Sequence, residues 1–272
     1  SVTPQPQPGN PKPRVFRLPE DKAVINRYGF NSDGHDAVHE RLVALKNDEK
    51  FSGIIGVNLG KNKTSDNAAE DYCEGVRKFS DVADYLVINV SSPNTQGLRN
   101  LQNKDNLAEL LSQVNKVRQS MERKSPLLLK LAPDLSESER QDIVNVIQKR
   151  ASRVDGLILS NTTITRENLS GEHRDETGGL SGAPLREKST AMIADMYRRT
   201  NGQIPIIGAG GIFNGQDAYE KITAGASLVQ IYTSYTYHGP PIVQKIKKEL
   251  DDLIMKNGYY SIHEAIGRAP KK

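Results

Sequence analysis

The sequence has no tryptophan, a single cysteine and only 6% aromatic residues. The lone Cys73 excludes an internal disulfide framework and fits a reducing compartment. No apolar run approaches the ~20 residues that a membrane-spanning helix needs. The net charge of +4 is spread along the chain, so it permits an anionic ligand but gives no reason to expect a nucleic-acid partner. The 272 residues are enough to bury a large core.

Five prolines among the first thirteen residues exclude a helix there and predict an extended segment, followed by a short strand in RVFRL. Short β-branched runs then recur, and their continuous apolarity is typical of strands buried on both faces of a parallel sheet. The predicted strands are Gly53–Asn58, Tyr85–Val90, Leu127–Leu131, Gly156–Ser160, Ile204–Gly208 and Leu228–Tyr232.

Segments with helical periodicity lie between these runs. Alternation of strands and helices indicates an α/β protein with right-handed crossovers, either a doubly wound sheet or a (β/α)8 barrel. The predicted helices are Asp66–Phe79, Asp105–Met121, Ser136–Arg150, Glu187–Thr200, Gly215–Ala224 and Pro241–Met255.

Polar residues follow the carboxyl end of each predicted strand, which favours a barrel because all of its strand ends converge on one mouth. The doubly wound alternative needs a dinucleotide fingerprint, but Phe213 stands where GAGGIFNG would need its third glycine. A barrel needs eight strands. We therefore expect a single barrel domain, 1–272, that lacks its first strand–helix unit, with SVT as the end of an earlier strand.

The strand ends also carry candidate ligand groups. Carboxamides offer both a donor and an acceptor, so Asn58, Asn89, Asn94 and Asn161 suit the edge of a pyrimidine or flavin, although each asparagine alone is more typical of a turn. Lys130 ends the apolar run LLLK and either stabilises a reduced cofactor ring or extends to solvent. Gly210–Gly211, between a strand and a helix, suit a phosphate or a tight turn.

Other kinds of site have weak support. His35 and His39 are four residues apart on a predicted helix, where a solvated helix face is a more ordinary interpretation than a metal site. The sequence contains neither a Gly-x-Ser-x-Gly elbow nor a Walker A loop. Cys73 lies in a predicted amphipathic helix, where inert packing is expected.

Eight motifs, in order and spacing, resemble class 2 dihydroorotate dehydrogenase over essentially the whole chain. They are INRYGFNSDG, GVNLGKNK, DYLVINVSSPNTQGLR, LLLKLAPDL, SNTT, ETGGLSGAPL, IIGAGGI and ASLVQIYT. The resemblance implies an FMN-dependent (β/α)8 barrel of pyrimidine biosynthesis that oxidises dihydroorotate to orotate and reduces a quinone. It also implies the mitochondrial inner membrane as the location.

The resemblance assigns Ser92 as the base that removes a proton from dihydroorotate C5 while a hydride leaves C6 for flavin N5. Ser91 is expected only to pack or cap the turn. The implied substrate contacts are Asn26, Arg27, Tyr28, Gly29, Phe30, Asn89, Asn94, Asn161 and Thr162. The implied FMN contacts are Ser1, Asn58, Asn89, Lys130, Ser160, Gly182, Gly211, Tyr232 and Thr233. Arg17 and Tyr232 match positions that line the path of the quinone.

The family's first strand, with its glycine-rich loop and its orotate-binding lysine, has no counterpart in the sequence, nor do the membrane-associating N-terminal helices. We therefore expect the chain alone to bind FMN weakly: either the missing parts lie on a segment outside this sequence, or the chain is inactive as given. Three alternatives stay open: a dihydrouridine synthase, which needs a cysteine where Ser92 stands, a phosphosugar-binding barrel, and a non-catalytic remnant that binds only a partner.

Overall fold

The structure is a computed structural model that describes residues 1–268, so the last four residues of the predicted domain lie outside the described part. The chain separates into two compact units. Unit 1 consists of Ser1–Arg14, Tyr28–Lys130 and Glu137–Asp155. Unit 2 consists of Val15–Arg27, Leu131–Ser136 and the chain from Gly156 onward.

Strands and helices alternate through most of the described chain. The strands are β1 (Val15–Leu18), β2 (Ala23–Asn26), β3 (Gly56–Leu59), β4 (Tyr85–Asn89), β5 (Leu127–Leu131), β6 (Gly156–Leu159), β7 (Gly179–Gly182), β8 (Ile206–Ala209) and β9 (Leu228–Gln230). The helices are α1 (His35–Lys46), α2 (Ala68–Phe79), α3 (Lys104–Ser120), α4 (Glu137–Ile147), α5 (Arg186–Arg199), α6 (Gly215–Ala224), α7 (Thr233–His238), α8 (Pro241–Lys256) and α9 (Ile262–Ala265).

In unit 1, β3, β4 and β5 pair in parallel, with Leu59 opposite Ile88 and Asn89 opposite Lys130. Their apolar residues are buried, as expected for a parallel sheet covered by helices. Helix α2 begins where the Asn67 side chain accepts a hydrogen bond from the Glu70 amide. It buries Cys73 on its apolar face, which confirms the predicted packing role of this thiol.

In unit 2, β6, β8 and β9 also pair in parallel. Helix α6 is capped at its amino end by Asn214, whose side chain accepts from the Asp217 amide, and at its carboxyl end by Gly225, where φ is 127°. Helix α8 buries one stripe of residues spaced by four, as an amphipathic helix does. The members of this stripe are Ile242, Ile246, Leu250 and Ile254.

Unit 2 also contains an antiparallel sheet, β1–β2–β7, of which only β1 was predicted. Phe16 lies opposite Ile25, and Ile25 opposite Leu180, so the three strands share one apolar cluster. Strand β7, GLSG, has no hydrophobic pattern to predict it. It forms because Gly182, with φ of 105°, lets the β2 backbone approach so closely that a Cβ would lie 2.3 Å from the Lys22 carbonyl oxygen.

The predicted bounds agree best with the structure for elements whose sequence has a clear hydrophobic pattern. The bounds of β5 and α6 are as predicted. The strand predicted from Gly53 begins only at Gly56, because the Ile55 amide donates to the Asp84 carboxylate and its carbonyl accepts from the Asp84 amide. Val2 forms a parallel bridge with Leu59, as expected for the end of a strand.

No helix within residues 1–268 combines the length and apolarity needed to cross a bilayer.

Candidate active site

Unit 1 brings several predicted flavin-binding residues together at the carboxyl ends of its strands. Asn58 and Asn89 each donate from Nδ2 to Ser1 Oγ, at 2.9 and 3.0 Å. The parallel register places Lys130 directly opposite Asn89. The predicted convergence of Ser1, Asn58, Asn89 and Lys130 on one edge of the sheet is therefore present within this unit.

Asn89 is held on several sides. Its Oδ1 accepts from both the amide and the hydroxyl of Ser91, at 3.3 and 2.9 Å, and its backbone carbonyl accepts from Tyr72 Oη at 2.8 Å. Ser91 is fully buried. It packs in the turn as predicted, and it additionally fixes the carboxamide of a candidate ligand residue.

Ser92, the predicted base, is buried beside Ser91, with 6% of its surface exposed. Its Oγ accepts a hydrogen bond of 3.2 Å from the Asn94 amide. A hydrogen bond donated to this oxygen stabilises its deprotonated form relative to its protonated form. No histidine or carboxylate contacts the hydroxyl in the described part of the chain, so its reactivity depends on burial and on this amide.

Lys130 and Asn58 retain unused polar groups that suit a flavin. Burial lowers the pKa of Lys130 from its ordinary 10.5 to about 8, and no acceptor within residues 1–268 binds its ammonium. Asn58 Oδ1 is buried and has no hydrogen-bond donor among the described residues. One cationic donor and one neutral acceptor complement the carbonyl and imide N–H groups of an isoalloxazine edge, so the residues present fit the group that the sequence implied.

The loop that precedes α1 adopts an unusual backbone. Gly29 and Phe30 have φ values of 69° and 54°, and left-handed conformation is uncommon for phenylalanine. The Phe30 ring is nearly buried and reaches Gly60, where a Cβ would come within 2.9 Å of it. The Arg14 guanidinium lies 5.7 Å from the Tyr28 ring centroid. The predicted substrate residues 28–30 thus form a constrained loop next to the end of β3.

In unit 2, Ser160, Asn161 and Thr162 follow β6. Ser160 is buried and donates to the Asn161 carbonyl at 3.0 Å, while Asn161 Oδ1 accepts from the Thr162 amide at 2.8 Å. The Asn161 amide donates to the Leu131 carbonyl at 2.9 Å. The three predicted contact residues therefore form one ordered polar turn at the end of a strand.

The glycine pair after β8 has a structural role that the sequence did not predict. Gly211 has φ of 70°, and a Cβ there would lie 2.5 to 2.7 Å from the Arg186 Cβ, Cα and N. The missing side chain therefore makes room for the start of α5, a role in addition to the phosphate site or tight turn that the glycine pair suggested. Near it, Arg186 pairs with the buried Asp217 at 3.1 Å, and Asp217 also accepts from the Phe213 amide.

The two residues predicted near a quinone path both lie beside α7. The Arg17 guanidinium donates to the Thr236 carbonyl at 3.4 Å and lies 5.3 Å from the Tyr237 ring centroid. Tyr232, which directly precedes α7, is 58% exposed. Next to it, Thr233 is buried and donates to Ser181 Oγ at 2.9 Å.

Asn26 is the last residue of β2, and Arg27 follows it. The Arg27 guanidinium forms an ion pair with Glu176 at 2.6 Å, donates to the Thr177 carbonyl and lies 4.6 Å from the Phe16 ring centroid. Gly178 is needed beside Asn26, since a Cβ there would lie 2.3 Å from the Asn26 carbonyl oxygen. The side chain of Arg27 therefore connects β2 to the 176–178 loop, a contact that no sequence pattern predicts.

His35 is buried, so the interpretation as a solvated helix face is wrong for this residue, whereas His39 is partly exposed. Both rings contact Phe79, and His39 Nε2 lies 2.9 Å from Asp81. Burial lowers the pKa of His35 to about 4.

Gln7 and Asn62 lie near the site but were not identified as candidates from the sequence. Gln7 is a polar residue in a proline-rich segment and Asn62 one in a lysine-rich loop, and neither setting has a pattern that would identify a site residue.

Comparison with known proteins places these observations in a family. The sequence model of the dihydroorotate dehydrogenase family matches residues 1–254. The chain is 55% identical to the mouse protein named dihydroorotate dehydrogenase (quinone), mitochondrial, covering 98% of this chain and 69% of the relative. It is 52% identical to the Parvibaculum lavamentivorans dihydroorotate dehydrogenase (quinone), covering 98% and 75%. It is 50% identical to the Arabidopsis thaliana protein named dihydroorotate dehydrogenase (quinone), mitochondrial, and this match covers 98% of this chain and 64% of the relative.

The same relationship holds in three dimensions. The structure matches the crystal structure of ligand-free dihydroorotate dehydrogenase from Eimeria tenella with a TM-score of 0.95, at 44% identity, over 100% of this chain and 81% of that one. This match confirms the predicted α/β barrel fold class. With sequence, fold and the arrangement of strand-end residues in agreement, the chain belongs to the dihydroorotate dehydrogenase family.

Proposed function

We propose that this chain oxidises dihydroorotate to orotate, a step of pyrimidine biosynthesis, with FMN as cofactor and a quinone as final electron acceptor. The observation that carries the proposal is the buried Ser92 in the SSPN turn, beside the Asn58–Asn89–Lys130 group, in a chain of this family. FMN, when bound, would supply the acceptor for the hydride from dihydroorotate C6 and the means of carrying two electrons on to the quinone.

Ser92 Oγ takes the proton from dihydroorotate C5, while its own hydroxyl proton passes to water. The Asn94 amide, which donates to Oγ at 3.2 Å, holds this oxygen in place and stabilises the charge that develops on it. Ser92 is 6% exposed, so few water molecules reach the hydroxyl, yet a route for its proton to water remains. The remaining proposed substrate contacts are Asn26, Arg27, Tyr28, Gly29, Phe30, Asn89, Asn94, Asn161 and Thr162.

The FMN contacts are proposed unit by unit. In unit 1, the Lys130 ammonium would favour negative charge on the reduced ring, and the buried Asn58 Oδ1 would be available to accept from an imide N–H. Ser1 and Asn89 fix the orientation of the Asn58 carboxamide. In unit 2, the proposed contacts are Ser160, Gly182, Gly211, Tyr232 and Thr233.

The quinone is proposed to approach at Arg17 and Tyr232, which is supported by the large exposed area of Tyr232 and by the contact of Arg17 with α7. A mitochondrial inner-membrane location is also proposed. The mouse and Arabidopsis relatives carry "mitochondrial" in their names, whereas the Parvibaculum relative does not.

The test is anaerobic mixing of the purified flavin-loaded protein with L-dihydroorotate in a stopped-flow spectrometer. Dihydroorotate is expected to bleach the flavin absorbance, and a short-chain ubiquinone is expected to restore it. A dihydrouridine synthase would instead transfer electrons to a uridine-containing RNA. A protein without flavin absorbance, or a flavin that dihydroorotate does not bleach, would refute the proposed function.

A further inference from the structure

The proline-rich segment before β1 runs alongside the loop that contains Phe30. Gln7 and Ser32 exchange two backbone hydrogen bonds of 2.9 Å, and the Asn10 amide donates to the Tyr28 carbonyl at 2.8 Å. The segment is already stiffened by its prolines. It therefore acts as a rigid support for the neighbouring loop.

The Gln7 side chain reaches from this support into the loop. Its Nε2 donates to the carbonyls of Phe30 and Gly29, at 2.8 and 3.3 Å. Its Oε1 accepts from the Lys63 amide and from Asn62 Nδ2, both at 2.9 Å. Because both ends of the carboxamide are engaged, its orientation is fixed.

Asn62 extends the connection to a helix. This residue is buried, and its Oδ1 accepts from the Gln5 amide at 2.9 Å. The backbone amide of Asn62 donates to the carboxylate of Asp71, a residue of α2, at 2.7 Å. A continuous set of hydrogen bonds therefore runs from α2 through Asn62 and Gln7 to Phe30.

The loop needs such support. Left-handed backbone at a residue other than glycine is strained and persists only where the surroundings enforce it. Gln7 binds the carbonyls of both left-handed residues, Gly29 and Phe30. These two bonds set the peptide planes that direct the Phe30 ring toward Gly60.

We propose that Gln7 is a positioning residue, which holds Phe30 in the conformation that binds dihydroorotate. This inference rests on the proposed function, because it takes Asn26–Phe30 as substrate contacts. It assigns a role in the binding of the substrate to a side chain that touches neither the substrate nor the cofactor.

The test replaces Gln7 with glutamate in the flavin-loaded enzyme. Gln7→Glu keeps the shape of the side chain but sets a carboxylate oxygen against two carbonyl oxygens. We expect the Kd for orotate and the KM for dihydroorotate to rise about 10-fold at pH 8, the scale of one lost hydrogen bond. The kcat and the flavin content should not change, since Ser92 and Lys130 are not involved.

A pH series separates positioning from general packing. Below about pH 5 the new carboxyl is protonated and can again donate to the Phe30 carbonyl, so the defect in orotate binding relative to the wild type should shrink. Gln7→Met, which has no donor at any pH, should bind orotate weakly throughout. The other titratable groups that line the cavity of about 480 Å³ beside Gln7 are Lys63, Asp71 and Glu74.

Gln5→Glu is the matched control, because it adds the same charge two residues away on an exposed side chain. It should leave orotate binding unchanged. Wild-type affinity in Gln7→Glu at pH 8, or a defect in Gln7→Glu that does not vary with pH, would overturn the positioning role. If the wild-type protein itself fails to bind orotate, the proposed function fails instead.

Discussion

The hydroxyl of Ser92 is buried, and its oxygen accepts a hydrogen bond from the Asn94 amide. A serine without a histidine or carboxylate partner is a weak base, so removing it tests the mechanism directly. Ser92→Ala is expected to slow flavin reduction by dihydroorotate by at least ~10²-fold, the usual scale for losing a general base. Orotate should bind almost normally, since carboxamides provide most of the proposed contacts. Anaerobic stopped-flow absorbance measures the rate.

Two further serines serve as comparisons. Ser120→Ala, on the exposed surface of α3, should leave the rate unchanged. Ser91→Ala should instead lower the flavin content, because the Ser91 hydroxyl holds the Asn89 carboxamide. Ser92→Cys should recover part of the rate as pH rises toward the thiol pKa of about 8.5. Near-normal reduction in Ser92→Ala would rule out this serine as the base.

Lys130 has a pKa lowered by burial to about 8, so it carries its charge below that pH and loses it above. Lys130→Met keeps an unbranched side chain that is one atom shorter but removes the charge. We expect weaker FMN binding and a lower flavin midpoint potential, because the reduced ring loses a neighbouring cation. Between pH 7 and 9, FMN affinity of the flavin-free wild type should fall, while that of the variant should stay level. Fluorescence titration with FMN measures this, and parallel pH profiles would contradict it.

At the scale of the element, the turn between β8 and α6 depends on Gly211. Gly211→Ala adds a Cβ that would lie 2.5 Å from Arg186 Cβ and 2.6 to 2.7 Å from its backbone, in addition to the strain of positive φ. We expect a loss of stability beyond the ~1–3 kcal/mol of left-handed strain alone, together with a lower flavin content. Denaturant unfolding and flavin absorbance measure the two effects.

Gly258 offers the matched control. Its φ is 79°, yet nothing lies within 4 Å of the position that a Cβ would take. Gly258→Ala should therefore lose stability only through the strain of positive φ, and its flavin content should not change. Equal destabilisation of the two variants would show that the contact with Arg186 is unimportant.

At the scale of the whole molecule, ligand binding should be visible as stability. A ligand that binds only the folded chain at 100 times its Kd adds about 2.7 kcal/mol to the free energy of unfolding. Orotate should therefore raise the Tm of the flavin-loaded protein by several degrees, in a concentration-dependent manner. Uracil, which lacks the carboxylate, should raise it less. A Tm that does not respond to orotate would argue against the substrate assignment.

The sequence by itself determined the elements whose residues carry a strong local pattern. Strand β5 and helix α6 have their predicted bounds because continuous apolarity and helical periodicity are local signals. The strand-end asparagines and Lys130 were found for the same reason, since each interrupts an apolar run. The long motifs of the resemblance identified the family that the comparisons then confirmed.

Only the tertiary structure decided how residues distant in sequence hold one another. Strand β7 exists because Gly182 admits the β2 backbone, and Gly211 is a glycine because α5 begins against it. Gln7 meets Phe30 only because the proline-rich segment folds back along the loop. These contacts join residues whose pairing leaves no periodic signal in the chain, so the geometry of packed backbones determines them and the local pattern does not.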